Sequence, residues 1–238
     1  MEVKYNPDYI HHQDSKVADS IREIVFGMED GMVSTLGTIT GIAVGSQNHF
    51  VVILAGLVII SVESISMGIG VYISNLSEFY VLKRKLYEEK KEIEEFPHEE
   101  KQELLAIYLK DGWPKDLATT MSETAAKDEK LMFAEMAHHE LKIDPNIKRN
   151  SWHDGLFMFL AYIVGGLVPL FAYFILPIAI AIKLSIVITL IGLFSLGAST
   201  AKYTKGSWVK MGTKVLVLGG VALLVGYFIG TLASSLAA

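Results

Sequence analysis

The order of apolar and polar positions divides the chain into membrane-type segments around one long polar block. Ile24–Ser46, about Phe50–Ile73, about Leu156–Ile175, about Ile178–Thr200 and about Val215–Leu232 are each dominated by apolar and small residues. A helix needs about 20 such residues to cross a bilayer. The pattern therefore predicts an all-α membrane protein with about five transmembrane helices. Before the first run lies a polar arm, residues 1–20, with His11 and His12 as solvated side chains. Between the second and third runs the polar block occupies 83–150. Its charged stretch 86–96 reads as a helix that Pro97 ends, and Pro97 suits the first turn of the next. That helix should stop at Asp111-Gly112, and a third should start at Trp113-Pro114 and run to about Lys142. The expected organisation is 1–82 as an arm with two spans, 83–150 as a three-helix acidic subdomain, and 151–238 as three further spans.

Composition fits this division. Of 238 residues, 51% are hydrophobic, yet 20% are charged, and the charges concentrate before residue 25 and between 78 and 154. A net charge of −5 argues against general nucleic-acid binding. With no cysteine present, a metal would have to be held by carboxylate, imidazole, thioether or backbone oxygen. The 201–214 loop carries Lys202, Lys205, Lys210 and Lys214, and Lys83, Arg84, Lys85, Lys148 and Arg149 flank the polar block. The opposite loops carry only Lys183. By the positive-inside rule the N-terminus, the polar block and the 201–214 loop should be cytoplasmic.

Two groups of residues break the apolar and charged monotony in a chemically informative way. In the first span Glu29 and Asp30 stand side by side, where a carboxylate costs ~2.5–3.5 kcal/mol at a helix centre. Such an acid faces a partner, a water-filled cavity or an ion. Glu63 and Met67 occupy the second span, and helix-rise arithmetic puts Met67 near the depth of Asp30. A carboxylate with a thioether suits a borderline transition metal better than calcium or magnesium. Met28 and Met32 flank the acids. Glycines 27, 31, 37, 41 and 45 form a close-packing stripe, which suggests a homodimer through the first helix. In the polar block, eight glutamates fall between 88 and 103. Glu89 and Glu92, and likewise Glu100 and Glu103, share helix faces at spacing three. Met132, Met136 and Glu140 lie four apart, beside His139. Clustered carboxylates repel unless a proton or cation sits among them.

Arg22-Glu23-Ile24-Val25-Phe26-Gly27 with Asp30-Gly31, Ile65-Ser66-Met67-Gly68 and the long acidic insert together resemble the vacuolar iron transporter (VIT) family. The resemblance covers nearly everything from Arg22 onward. It implies a proton-coupled exporter of ferrous iron, with manganese as a second substrate, and a homodimer of five-span subunits whose first helices line the path. By the same resemblance Asp30 and Met67 are pore ligands, and Glu89, Glu92, Glu100, Glu103, Met136 and Glu140 are cytoplasmic metal ligands. Ala137 replaces a second methionine of relatives. Ile59 stands where relatives often have an acid, with Glu63 one turn on. The implied ligands are divalent metals (Fe2+, with Mn2+, and Zn2+ or Co2+ as surrogates), and the implied partners are protons and the lipid bilayer, with no resident cofactor and no nucleic acid. The membrane would be the plasma membrane in a prokaryote or the vacuolar membrane in a eukaryote. Two other readings stay open: a membrane di-iron oxidase built on the E-x-x-H runs Glu135–His138 and Glu95–His98, and a metal sensor that does not transport.

Overall fold

The computed structural model describes residues 20–147, 150–204 and 206–237. The polar arm with His11 and His12, and Lys148, Arg149 and Lys205, lie outside the described residues, as does the side chain of Lys202. Eight helices are described: α1 Ile21–Ser46, α2 His49–Glu95, α3 Pro97–Lys110, α4 Lys115–Ala125, α5 Glu129–His139, α6 Ser151–Ile175, α7 Ile178–Thr204 and α8 Trp208–Ala237. They form two compact units. Among the described residues, one runs up to Tyr72 and resumes at Trp152, and the other lies within Ile73–Ser151.

In the first unit, α2, α6, α7 and α8 are each long and apolar enough to cross a membrane. Large apolar side chains stay exposed along them, including Val58, Val62, Ile65 and Ile69 on α2 and Leu224, Phe228 and Leu232 on α8. Water would not tolerate so much contiguous apolar surface, whereas lipid solvates it. The chain is thus an all-helical, multi-pass membrane protein. The helix α1 is long enough at 26 residues, but Glu29, Asp30 and its many Gly, Ser and Thr residues leave it less apolar than the other four. It buries one face instead: Met32, Leu36, Ile39 and Ala43 are at most 2% exposed.

The glycine stripe is used inside the subunit. A Cβ at Gly41 would lie 2.6 Å from the Gly226 carbonyl oxygen of α8, and one at Gly37 would lie 3.0 Å from that of Ala222. Gly27 and Gly31 meet α6 at Met158, Ala161 and Tyr162. The stripe was expected to join two subunits, but its glycines let the backbones of α1, α6 and α8 touch within one chain. Met32 likewise serves packing, its sulfur lying 3.1 Å from where a Cβ at Gly192 of α7 would stand. In the apolar surroundings Ser185 donates a hydrogen bond of 2.7 Å to the Pro169 carbonyl, tying α7 to α6.

Three boundaries differ from the sequence reading. First, the second apolar run and the charged helix after it are one 47-residue helix. No Gly or Pro interrupts 71–96, and the pairs Arg84–Glu88, Lys90–Glu94 and Lys91–Glu95, one turn apart, support its charged half. Second, the expected helix from 113 to 142 is two helices. Asp128 caps α5 by accepting from the Lys130 and Leu131 amides, which starts a new helix in place of a continuation. The acidic insert is therefore the end of α2 with α3, α4 and α5, not three helices. Third, α8 begins at Trp208, so most of the expected 201–214 loop is helical. The break at Pro97 and the stop at Asp111-Gly112 occur where the sequence put them, with Gly112 at φ +93°, a conformation that favours glycine.

Within the second unit, Ile93, Leu104, Tyr108, Ala118, Ala125, Met132 and Met136 form a core. A smaller cluster joins Leu86, Ala137 and Ile143.

Candidate metal-binding sites

The acidic unit brings together three carboxylates from three segments. Glu89 sits on the late part of α2, Glu100 in the first turn of α3, and Glu140 at the end of α5. One oxygen from each lies within 4.8 Å of the others. Pro97 makes this geometry: it ends α2 and restarts the chain as α3 after a single residue, so Glu100 turns back toward Glu89. Glu89 and Glu100 are 3% and 6% exposed, and each keeps one buried oxygen, Oε1 of Glu89 and Oε2 of Glu100, without a hydrogen-bond partner. An unpaired buried carboxylate oxygen is costly, so its retention points to a ligand that supplies positive charge.

The electrostatics agree. Burial first, then the charges of Glu140, Glu100 and Glu92, push Glu89 up to about 8. Burial and the charges of Glu103, Glu140 and Glu92 push Glu100 up to about 7. Glu140 is raised too, by loss of water around its carboxyl and by Glu103 and Glu92. The Glu89 and Glu140 carboxyls lie close enough to share a proton. Glu92 and Glu103 are themselves exposed; Glu92 acts on all three through its charge, and Glu103 on Glu100 and Glu140. Met136 is fully buried in the core, one turn before Glu140. A cation among these oxygens would replace the protons and relieve the repulsion. Five acids and a nearby thioether suit a divalent ion that accepts oxygen ligands.

The E-x-x-H residues do something else. Glu135 accepts a 2.6 Å hydrogen bond from Tyr108 and lies 3.6 Å from His139, which in turn lies 3.2 Å from Asp111. Burial and the Glu135 carboxylate raise the Tyr108 phenol well above its ordinary range. His138 is exposed, and His98 pairs with Gln102 at 3.0 Å at the helix break. Glu135 and His98 are thus each engaged by a neighbour other than their motif partner.

The first unit holds a second acid group. Asp30 on α1 and Glu63 on α2 are close enough to act on one another electrostatically, and Glu29 also acts with Asp30. Asp30 is half-buried and Glu63 is exposed within the single chain. Met67 is half-buried one turn after Glu63. Two residues that sequence reasoning did not single out complete this group. Tyr162 of α6 is fully buried, is acted on by both Asp30 and Glu63, and shares a hydrogen bond with Ser34 of α1. A tyrosine well inside an apolar run, away from the headgroup level where Tyr collects, was the available signal.

Comparison with known proteins agrees with these features. A model of the VIT family matches residues 21–231. The chain belongs to the VIT family. Among its relatives, vacuolar iron transporter 1 of Tulipa gesneriana is 27% identical over 210 residues, covering 88% of this chain and 85% of that protein. Vacuolar iron transporter 1 of Arabidopsis thaliana is 25% identical, covering 89% and 86%. The vacuolar iron transporter of Toxoplasma gondii is 30% identical over 241 residues, covering 94% of this chain and 78% of that protein. Family membership extends over both acid groups, since Asp30, Glu63, Glu89, Glu100 and Glu140 all fall within the matched residues.

Proposed function

We propose that this VIT-family chain is a proton-coupled transporter that moves ferrous iron, and manganese as a second substrate, out of the cytoplasm. The observation that carries the reading is the carboxylate triad Glu89, Glu100 and Glu140, in which buried Glu89 and Glu100 each keep an unpaired oxygen and Glu140 opens to solvent. In this reading the subdomain 83–150 is cytoplasmic and captures the ion with Glu89, Glu92, Glu100, Glu103, Met136 and Glu140. The ion then passes to Asp30, Glu63 and Met67 in the membrane. The helix α1 acts as the fifth span, and two subunits associate with their first helices facing. The relatives' names and the acids on α1 and α2 support this. Protons return as the acids release metal on the far side, since two carboxylates near each other favour sharing a proton once the cation has gone. The membrane is the plasma membrane in a prokaryote or the vacuolar membrane in a eukaryote.

The test is ferrous ion uptake into proteoliposomes at two imposed pH gradients. Asp30→Asn keeps shape and an amide oxygen but loses the charge and the titratable proton. It should still bind metal at Glu89, Glu100 and Glu140, which reports folding, and should lose nearly all flux. Near-normal flux in Asp30→Asn would overturn the reading. Dioxygen consumption driven by ferrous ion without uptake would favour the oxidase, and binding without uptake the sensor.

A further inference from the structure

Among the described side chains of the first unit, Tyr162 has a combination of features that packing alone does not require. Its ring is fully buried on α6. Its backbone carbonyl lies against Gly31, where a Cβ would intrude, so α6 is fixed against α1 at the residue next to Asp30. Its hydroxyl shares a hydrogen bond with Ser34, one helical turn beyond Asp30 on the same face of α1. The titratable groups that act on it are Asp30 on α1 and Glu63 on α2. Tyr173, eleven residues further along α6, is the natural contrast. It is equally buried, but its hydroxyl has no hydrogen-bond partner and sits in an apolar cluster with Ile39, Val52 and Leu170.

We propose that the Tyr162–Ser34 hydroxyl pair is a positioning element of the membrane acid site, setting how Asp30 and Glu63 meet a passing cation. The inference rests on the transport reading of those two acids. Both hydroxyls donate and accept, so the bond between them can run in either direction. When Ser34 donates to Tyr162, the phenol proton is free to point toward a carboxylate and stabilise its charge. When Tyr162 donates to Ser34, the acids are left to the cation. A helical serine can also donate to the carbonyl four residues back, here that of Asp30, which gives Ser34 an alternative partner during the exchange. The pair thus offers a neutral, prearranged dipole beside two acids of like charge, where a fixed dipole acts more strongly than in water.

The test measures ferrous uptake in proteoliposomes for wild type, Asp30→Asn, Tyr162→Phe, Ser34→Ala, Ser34→Thr and the Tyr162→Phe/Ser34→Ala double variant, with Tyr173→Phe as control. Tyr162→Phe keeps the ring and removes only the hydroxyl. It should raise the ferrous concentration for half-maximal uptake by about tenfold while changing the maximal rate less, the pattern of lost ion positioning. Ser34→Ala should match it, and the double variant should be no worse than either single, because both remove one shared bond. Ser34→Thr should restore wild-type behaviour, and Tyr173→Phe should equal wild type. If Asp30→Asn is inactive but Tyr162→Phe and Ser34→Ala behave like Tyr173→Phe, the positioning role is wrong and the transport reading stands. If Asp30→Asn transports normally, both fall. Should Tyr162→Phe not yield folded protein, Ser34→Ala and Ser34→Thr decide the matter alone: a loss in the first without rescue in the second overturns the hydroxyl role.

Discussion

Glu89 and Glu100 hold protons near neutral pH because burial and neighbouring acids disfavour their charge, at about 8 and about 7 respectively. Both values are raised above the ordinary 4.5, so the native state binds more protons than the unfolded chain in between. Stability of the metal-free unit is therefore greatest below about pH 4.5 from these groups, and falls as pH rises through 7 and 8. A cation competes with the same protons, so metal affinity should move the opposite way. It should strengthen by about tenfold per pH unit between 6 and 8 for each proton displaced. Calorimetry in two buffers of different ionisation enthalpy would measure the protons released; release of none would contradict the triad as the site. Above about pH 8, where Glu89 has lost its proton, Glu89→Gln removes a repelling charge and a ligand together. It should raise the melting temperature without metal and weaken metal binding by about tenfold or more, worth 1.4 kcal/mol or more. Unchanged binding in both Glu89→Gln and Glu100→Gln would place the metal elsewhere.

At the scale of elements, the contact of α1 with α8 depends on missing side chains. Gly226 and Gly230 of α8 set their α-carbons against the backbone of Gly37 and Gly41. At this separation van der Waals and Cα–H···O contacts replace side-chain packing. Gly226→Leu should therefore break the subunit itself, seen as loss of monodisperse protein in mild detergent. Gly220→Ala, on the same helix with open space at its Cβ, should be tolerated. Folded, active Gly226→Leu protein would show that α8 does not rest on α1 in lipid. The same scale explains α2. Its apolar half and its charged half satisfy two solvents with one uninterrupted set of backbone hydrogen bonds, since nothing between Val71 and Phe96 breaks the helix.

For the molecule as a whole, the proposed homodimer would form by association between first helices. With its glycines occupied by α6 and α8, α1 has Phe26 and Thr38 among its exposed positions. The chain has no cysteine, so one introduced thiol reports alone. If first helices face each other across a two-fold axis, Thr38→Cys or Phe26→Cys should give a cross-linked dimer on mild oxidation in liposomes. Monomer alone from both variants would rule out that interface.

Much of this protein was legible in its sequence because membrane helices obey a local rule. A backbone in lipid must satisfy its own hydrogen bonds, so apolar length alone marks α2, α6, α7 and α8. Pro97 and Asp111-Gly112 are equally local signals, and the helix ends there follow. The acid types were visible too, since Asp30, Glu63 and the glutamates from 88 to 103 stand out against their surroundings. What the sequence did not contain was the choice of neighbours. Spacing put Glu89 with Glu92 and Glu100 with Glu103, yet the fold buries one of each pair and joins them to Glu140, 40 residues further along. Depth put Asp30 and Met67 at one level; helix rotation, which spacing does not show, brings Glu63 to bear on Asp30 and both acids to bear on Tyr162. Glycine spacing announced close helix contact but not with which helix, because a groove of hydrogen atoms accepts any partner whose own small residues match it. Which faces meet is decided by packing three or more helices at once, and only the tertiary structure settles that sum.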